Sequence, residues 1–251
     1  MTQHRQIPAI IELLQVDSTN NYALGCIREG LAYHGMGIFA HEQVAGKGQR
    51  GKKWTAPRDQ NINLSLIIEP EALNLNHLFD LSALVALTTR AFLAENAPGD
   101  WYIKWPNDIY FQDRKAVGML IENILSGQKW KWAVIGVGIN INQEAFPAEL
   151  NRAVSLKQVT GKTYNCRELA EVLATKLIDK INKFLADPDK NAGENLENYN
   201  EHLFMKNRQV TFDQGECRFN AVVKGVTRDG KLVLGGAPRE EYEFGELVWV
   251  F

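Results

Sequence analysis

Residues 101–141 carry three segments rich in β-branched and aromatic side chains: Trp101 to Trp105, Ala116 to Leu125 and Trp130 to Ile141. Turn residues separate them, and such side chains fit a pleated, half-buried surface. The stretch predicts three successive strands, so the chain has to build a sheet. Asn61-Ile62-Asn63-Leu64-Ser65-Leu66-Ile67-Ile68 alternates polar and apolar and ends at Pro70, which adds a strand, and Ile38-Phe39-Ala40 adds a short one. Helical spacing surrounds them. Asp17-Ser18-Thr19-Asn20 offers caps to a helix that stops near Gly30, and Leu78, Leu81, Leu84, Val85 and Phe92 mark a second, broken at Pro98-Gly99. The clearest helix is 166–185, with Leu169, Leu173, Leu177, Ile181 and Phe184 on one face. Asn-rich sequence from Asp187 to Glu201 reads as a linker. From about Asn207, short strands punctuated by Gly215, Asp229-Gly230 and Gly235-Gly236 read as a small β-barrel. The expected division is 1–205 and 206–251.

Chemistry concentrates in four places. The run Gly46-Lys47-Gly48-Gln49-Arg50-Gly51-Lys52-Lys53-Trp54 packs four cations among three glycines. Glycine lets backbone approach a ligand closely, and cations at that density call for an anion; a solvated basic surface loop is the plainer reading. Net charge is −2 over 251 residues, so the basic cluster is local and a general nucleic-acid binder is disfavoured. Lys104-Trp105-Pro106-Asn107-Asp108 places an amide and a carboxylate at a strand end, where Asp108 could hold Mg²⁺ beside phosphates, and Lys115 follows as a point charge. Read in isolation, the same residues make a simple turn with a flanking lysine. Gly136-Val137-Gly138 within 135–142 lacks the third glycine of a dinucleotide fingerprint, and its glycines are equally readable as structural or ligand-facing. Ser18, Thr19, Asn20 and Gln43 are compact hydrogen-bonding groups suited to the polar end of a small ligand, with Ser18 as a helix cap beside that role.

Other classes fall away. Cys26, Cys166 and Cys217 are odd in number and widely spaced, which fits reduced thiols in the cytoplasm. The five histidines show no ligand spacing, and no nucleophile elbow is present. No apolar run reaches the ~20 residues of a membrane span, and the first residues lack a signal-peptide pattern. The expectation is a soluble cytoplasmic protein without a membrane partner.

Taken together, DSTN at 17–20, EQVAGKGQRGKKW at 42–54, KWPND at 104–108, KAVGMLIE at 115–122 and GVGININ at 136–142 resemble biotin protein ligase over roughly residues 10–251. The resemblance implies an α+β fold: a mixed sheet with flanking helices like class II aminoacyl-tRNA synthetases, then an SH3-like barrel. It implies ATP-dependent activation of biotin as biotinyl-5′-AMP and transfer to a lysine of a biotin carboxyl carrier domain. Ser18, Thr19, Asn20, Gln43, Gly46, Lys47, Gly48 and Gln49 match biotin contacts, and Lys115 matches the lysine on the biotin carboxylate and α-phosphate. Lys47, Gln49, Arg50, Lys52, Trp54, Asn107 and Asn140 match the ATP and adenylate side, with Trp54 a lid over adenine. Lys115, Arg50 and Asp108 form the expected catalytic set, and Asp108 is also the candidate for Mg²⁺ and for the incoming amine's proton.

The resemblance also implies limits. Family members that repress transcription carry an N-terminal winged helix, for which this sequence leaves no room, so no nucleic-acid partner is expected. A homodimer is left open. Lys47 and Gln49 stand where the loop often carries arginine, so bidentate phosphate contacts are lost and adenylate leakage is expected. Val250 stands where some members place an arginine that reaches ATP, which puts the barrel's part in ATP binding in question. Rival readings are a lipoate or octanoate ligase of the same fold, and a non-catalytic biotinyl-adenylate or nucleic-acid-binding module.

Overall fold

Alternation along the strands becomes geometry in a seven-stranded mixed sheet. The computed structural model describes residues 9–71, 73–190 and 192–251. The strands are β1 (Ile10–Leu13), β2 (Gly37–Ala40), β3 (Asn61–Ile68), β4 (Trp101–Lys104), β5 (Asp108–Phe111), β6 (Arg114–Ser126) and β7 (Lys129–Asn140). Their spatial order is β1-β2-β3-β7-β6-β5-β4. β1 and β2 run parallel, and all other neighbours are antiparallel. Strand β5 is missing from the sequence expectation, which went from the Pro106 turn straight to the next strand. Ile109 and Tyr110 explain it, since both bury on a short return of the hairpin.

Successive residues of a strand face opposite sides. On one side Ile62, Leu64, Leu66 and Ile68 of β3 enter the main core with α2 (Leu78–Asn96) and α4 (Cys166–Ala186). On the other, Ile67 joins Ile38, Val134 and α1 (Thr19–Arg28) in a small second core. Asn63 and Ser65 share that second face, and α1 covers only one end of it. The remainder is open, which is what places the cleft.

Two elements differ from what the sequence predicts. The stretch Leu75–Asn96 is long and apolar enough for a membrane span by length and composition, contrary to the reading that none exists. Packing accounts for it: Leu81, Val85, Phe92 and Leu93 are fully buried against the sheet and α4, as a core helix requires. The supposed linker 187–201 contains α5 (Ala192–Glu201). Ala192, Leu196 and Tyr199 stand at helical spacing, and Tyr199 is wholly buried beside Phe79 of α2. Its asparagines obscure that spacing, and tertiary packing outweighs their weak helix propensity. A short helix, α3 (Leu156–Thr160), starts at a capping box made by Ser155 and Gln158.

The C-terminal sheet is β8 (Gln209–Gln214), β9 (Cys217–Val226), β10 (Leu232–Gly235), β11 (Glu241–Tyr242) and β12 (Val248–Val250), ordered β11-β10-β9-β8-β12 and antiparallel throughout. Val210, Phe212, Val223, Leu232 and Tyr242 fill its interior, in keeping with an SH3-like barrel. It is pinned to the larger sheet where it matters. Trp105 Nε1 donates to the Gly230 carbonyl at 2.8 Å, and Asn200 of α5 exchanges hydrogen bonds with Val226 at 2.7 and 3.1 Å. Tyr199 donates to the Pro106 carbonyl at 3.1 Å. The 105–107 turn is therefore held from both α5 and the barrel.

Candidate active site

One transverse row of side chains forms the floor of the cleft. Register pairs Asn63 of β3 with Gly138 of β7, Gly138 with Gly118 of β6, Gly118 with Asp108 of β5, and Asp108 with Lys104 of β4. Cross-strand partners share a face, so five strands contribute one line: an amide, two bare positions, a carboxylate and an ammonium. A cavity of about 610 Å³ lies over it. The central glycines have a spatial reason. A Cβ on Gly138 would lie 2.7 Å from Trp54 Cζ2, and one on Gly118 would lie 3.2 Å from Trp54 Cζ3. The Trp54 indole lies flat against the sheet because nothing projects beneath it. Gly136, one step along β7, makes the same room for the Asn20 amide.

At the Asn63 end the side chains of Thr19, Asn20, Gln43, Asn63 and Ser65 pair with one another. Gln43 Oε1 accepts from the Thr19 amide at 2.8 Å and from its hydroxyl at 3.1 Å. Asn63 Oδ1 accepts from Gln43 Nε2 at 3.3 Å and from Trp54 Nε1 at 3.0 Å, while its own amide donates to the Ala40 carbonyl at 3.1 Å. The Ser65 hydroxyl sits 2.8 Å from Thr19 Oγ1 and 2.6 Å from Asn20 Oδ1. Asn20 Nδ2 donates to Glu122 at 2.8 Å. Ser18 occupies the N-cap position of α1 with extended backbone but makes no capping hydrogen bond, so its hydroxyl is left to the cleft it lines. Buried, fully paired networks hold their members in one arrangement.

The basic loop closes on itself before it reaches the barrel. Trp54 N donates to the Gly46 carbonyl at 2.9 Å and Gly48 N to the Lys52 carbonyl at 2.7 Å. A Cβ on Gly46 would collide with the Trp54 carbonyl, so glycine is required for that closure. Arg50, at φ 53°, donates to the Gly245 carbonyl of the barrel and lies 5.9 Å from the Phe244 ring. Gly245 at φ 89° leaves the guanidinium its space. Gln49 Oε1 is buried with no partner among the described residues.

The opposite end of the row is cationic. Lys104 and Lys115 stand there, Lys47, Arg50, Lys52 and Lys53 line the cleft from the basic loop, and among the described residues Asp108 is the one lining carboxylate. Lys115 Nζ pairs with Asp108 Oδ1 at 2.7 Å, whereas Lys47 reaches Glu122 only at 3.8 Å. Burial pulls Lys104 down to about 8, against the partial support of Asp108.

Most expected residues thus meet: Ser18, Thr19, Asn20, Gln43, Lys47, Gly48, Gln49, Arg50, Lys52, Trp54, Asn107, Asp108 and Lys115 line one cavity. Gly46 lies outside that lining, where the loop closes on Trp54. Asn140 departs from expectation. It is buried, and its amide donates to the carbonyls of Val154 at 3.2 Å and Lys115 at 3.5 Å, clamping the backbone that carries Lys115 instead of facing the cleft. Asn107 donates to the Met119 carbonyl. Sequence reasoning missed Asn63, Ser65, Glu122 and Lys104, and missed Phe244, Gly245 and Trp249 of the barrel, which also line the cavity. The polar positions of β3 were the available signal for the first two.

The sequence profile of the biotin/lipoate A/B protein ligase family matches residues 13–140. The chain is 32% identical over 233 residues to a biotin–[acetyl-CoA-carboxylase] ligase of Paracoccus denitrificans, covering 89% of this chain and 93% of that protein. It is 30% identical to the bifunctional ligase/repressor BirA of Escherichia coli (strain K12), covering 87% of this chain and 67% of that one. The solved biotin protein ligase of Aquifex aeolicus in complex with biotin and ATP matches with a TM-score of 0.77 at 25% identity, over 96% of this chain and 98% of that one.

Proposed function

The chain belongs to the biotin/lipoate A/B protein ligase family, and on that premise we propose how its cleft performs the reaction. It is an ATP-dependent biotin–protein ligase: it activates biotin as biotinyl-5′-AMP and transfers biotin to a lysine of a carrier domain. The observation that carries the site assignment is the row from Asn63 to Lys104, hydrogen-bonding at one end and cationic at the other.

Biotin has a neutral ureido ring and an anionic tail, and the row has the same polarity. Ser18, Thr19, Asn20 and Gln43 take the ureido end, the glycine-bare centre with Trp54 takes the apolar body, and the carboxylate arrives beside Lys115. A carboxylate oxygen then attacks the α-phosphorus of ATP, and the bond from that phosphorus to the bridging oxygen breaks, releasing pyrophosphate. Two anions meet in this step, so cations that cancel their repulsion lower its barrier. Lys115 contacts both; Asp108 fixes Lys115 through their ion pair. In the second step the carrier's neutral ε-amine attacks the acyl carbon and AMP leaves, with the Asp108 oxygen that Lys115 does not hold taking the amine's proton. The loop 46–54, including Gly46, Lys47, Gly48, Gln49 and Lys52, covers the mixed anhydride from water. Arg50 joins the phosphates by exchanging its bond to Gly245 for them.

No cluster of three or more metal-type side chains occurs among the described residues. One carboxylate facing a phosphate site suits a Mg²⁺ ion that arrives with ATP, so Asp108 would hold it, and it would supply further charge neutralisation. The catalytic unit is assigned to 1–205 and the barrel to 206–251. A cytoplasmic enzyme acting on the carrier domain of a carboxylase, without a nucleic-acid partner, is the setting that fits this chemistry. Pyrophosphate release from ATP, measured with biotin, with lipoate and with neither, tests the assignment. Release is expected with biotin alone; release with lipoate alone would transfer the chain to lipoate activation.

A further inference from the structure

Lys104 ends the floor row on the outermost strand of the sheet, β4. Its cross-strand neighbour Asp108 gives one carboxylate oxygen to Lys115 at 2.7 Å. Among the described residues the Lys104 side chain makes no salt bridge and no hydrogen bond. Three rings surround its ammonium instead: Tyr110 at 5.4 Å, Trp249 at 5.4 Å and Phe251 at 5.6 Å. Tyr110 belongs to β5, while Trp249 and Phe251 come from the barrel segment, so the cage closes only with the barrel docked. Ring faces attract a cation without neutralising it. The burial that lowers Lys104 to about 8 shows the cost of keeping this charge without a counter-ion. A caged, unpaired ammonium facing a nucleotide cleft is a site for one more anion.

Direction along the row says which anion. The neutral end of biotin lies toward Asn63, and the reacting carboxylate and α-phosphate lie at Lys115. Phosphoryl transfer places attacking and leaving oxygens in line. An attack from the Asn63 side therefore expels the leaving group toward Lys104. We propose that Lys104 binds the β- and γ-phosphates of ATP and stabilises the departing pyrophosphate, and that Trp249, Phe251 and Tyr110 are its positioning residues. As the bond between the α-phosphorus and the bridging oxygen breaks, its electron pair passes to that oxygen, and Lys104 offsets the charge that develops on the pyrophosphate. The barrel thereby takes part in the first half-reaction.

This role rests on the ligase assignment but can fail separately. Two reactions are measured on the whole chain: biotin-dependent pyrophosphate release at varied ATP, and transfer to a biotin carboxyl carrier domain from supplied biotinyl-5′-AMP. Lys104→Met is expected to lower kcat/KM for ATP on the order of 100-fold and to leave transfer from the preformed adenylate at the wild-type rate. Lys104→Arg restores most of the ATP step. Trp249→Leu, which keeps the charge and loosens the cage, is expected to raise KM for ATP about 10-fold with KM for biotin unchanged. Unimpaired use of ATP by folded Lys104→Met, or equal loss of both half-reactions in both Lys104→Met and Trp249→Leu, overturns the proposal. Should Lys104→Met not fold, the Trp249→Leu result decides alone. Wild-type protein that releases no pyrophosphate would refute the ligase assignment instead.

Discussion

The two ends of the cleft floor are built on opposite principles. Around Asn63 the side chains of Thr19, Gln43, Ser65, Asn20 and Glu122 complete one another's hydrogen bonds before any ligand arrives. Around Lys104 the cations outnumber the carboxylates, and the structure supplies rings and burial where a counter-ion would be. A neutral ligand end is recognised by a network already in place, because an unpaired polar group in a buried pocket costs free energy. An anionic substrate is recognised by leaving charge unsatisfied, so that its arrival completes the site. The difference predicts that changes at the Asn63 end act on biotin and changes at the Lys104 end act on ATP.

Removing the group where the two ends meet gives the largest effect. Lys115→Ala is expected to cut biotin-dependent pyrophosphate release by a factor of about 100 to 1,000 while the melting temperature changes little. A folded variant with wild-type release would break the division at its centre. Gly136→Ala comes next, on the biotin side. A methyl group there collides with the Asn20 amide, and KM for biotin should rise about 10-fold or more, with KM for ATP unmoved. A parallel rise in both constants would erase the contrast.

Acidity supplies a graded test of the other end. Lys104 loses its charge above about pH 8, so kcat/KM for ATP should fall as pH rises through that value. Asp108, Lys115, Lys52 and Arg152 act on it electrostatically, and Tyr110 faces it across the sheet. Asp108 favours the charged form and the three cations oppose it, so removing any one of the cations should move the limb to higher pH. Lys104→Arg should remove the limb, since a guanidinium stays charged. The smallest effect belongs to Asn140→Ala, which deletes the amide clamped on Val154 and Lys115. It should cost about 1–2 kcal/mol of stability with KM for ATP nearly unchanged; a large rise in KM would return Asn140 to the nucleotide side.

This contrast was half legible in the sequence. Ser18, Thr19, Asn20, Gln43 and the basic loop stand in short continuous blocks, and local composition reveals blocks. Asn63 and Ser65 alternate visibly with Ile62 and Leu64, yet which face of β3 looks into a cleft depends on how far α1 reaches across the sheet. Lys104 was hidden more deeply. Its neighbours Trp249 and Phe251 lie at the far end of the sequence, and only barrel docking makes them a cage. The same holds for α5, whose asparagines suggest a linker until Tyr199 is seen buried beneath the Pro106 turn. Asn140 misled because its motif lies beside the site while its side chain serves the backbone of Lys115.

The row from Asn63 to Lys104 is proposed to join biotin to AMP. Mass spectrometry of the protein mixed with biotin, ATP and Mg²⁺, with no carrier domain present, measures that product directly. Biotinyl-5′-AMP should form at least stoichiometrically and, with Gln49 in the loop, also appear free in solution. A folded protein that binds both substrates and yields no adenylate would rule out that role for the row.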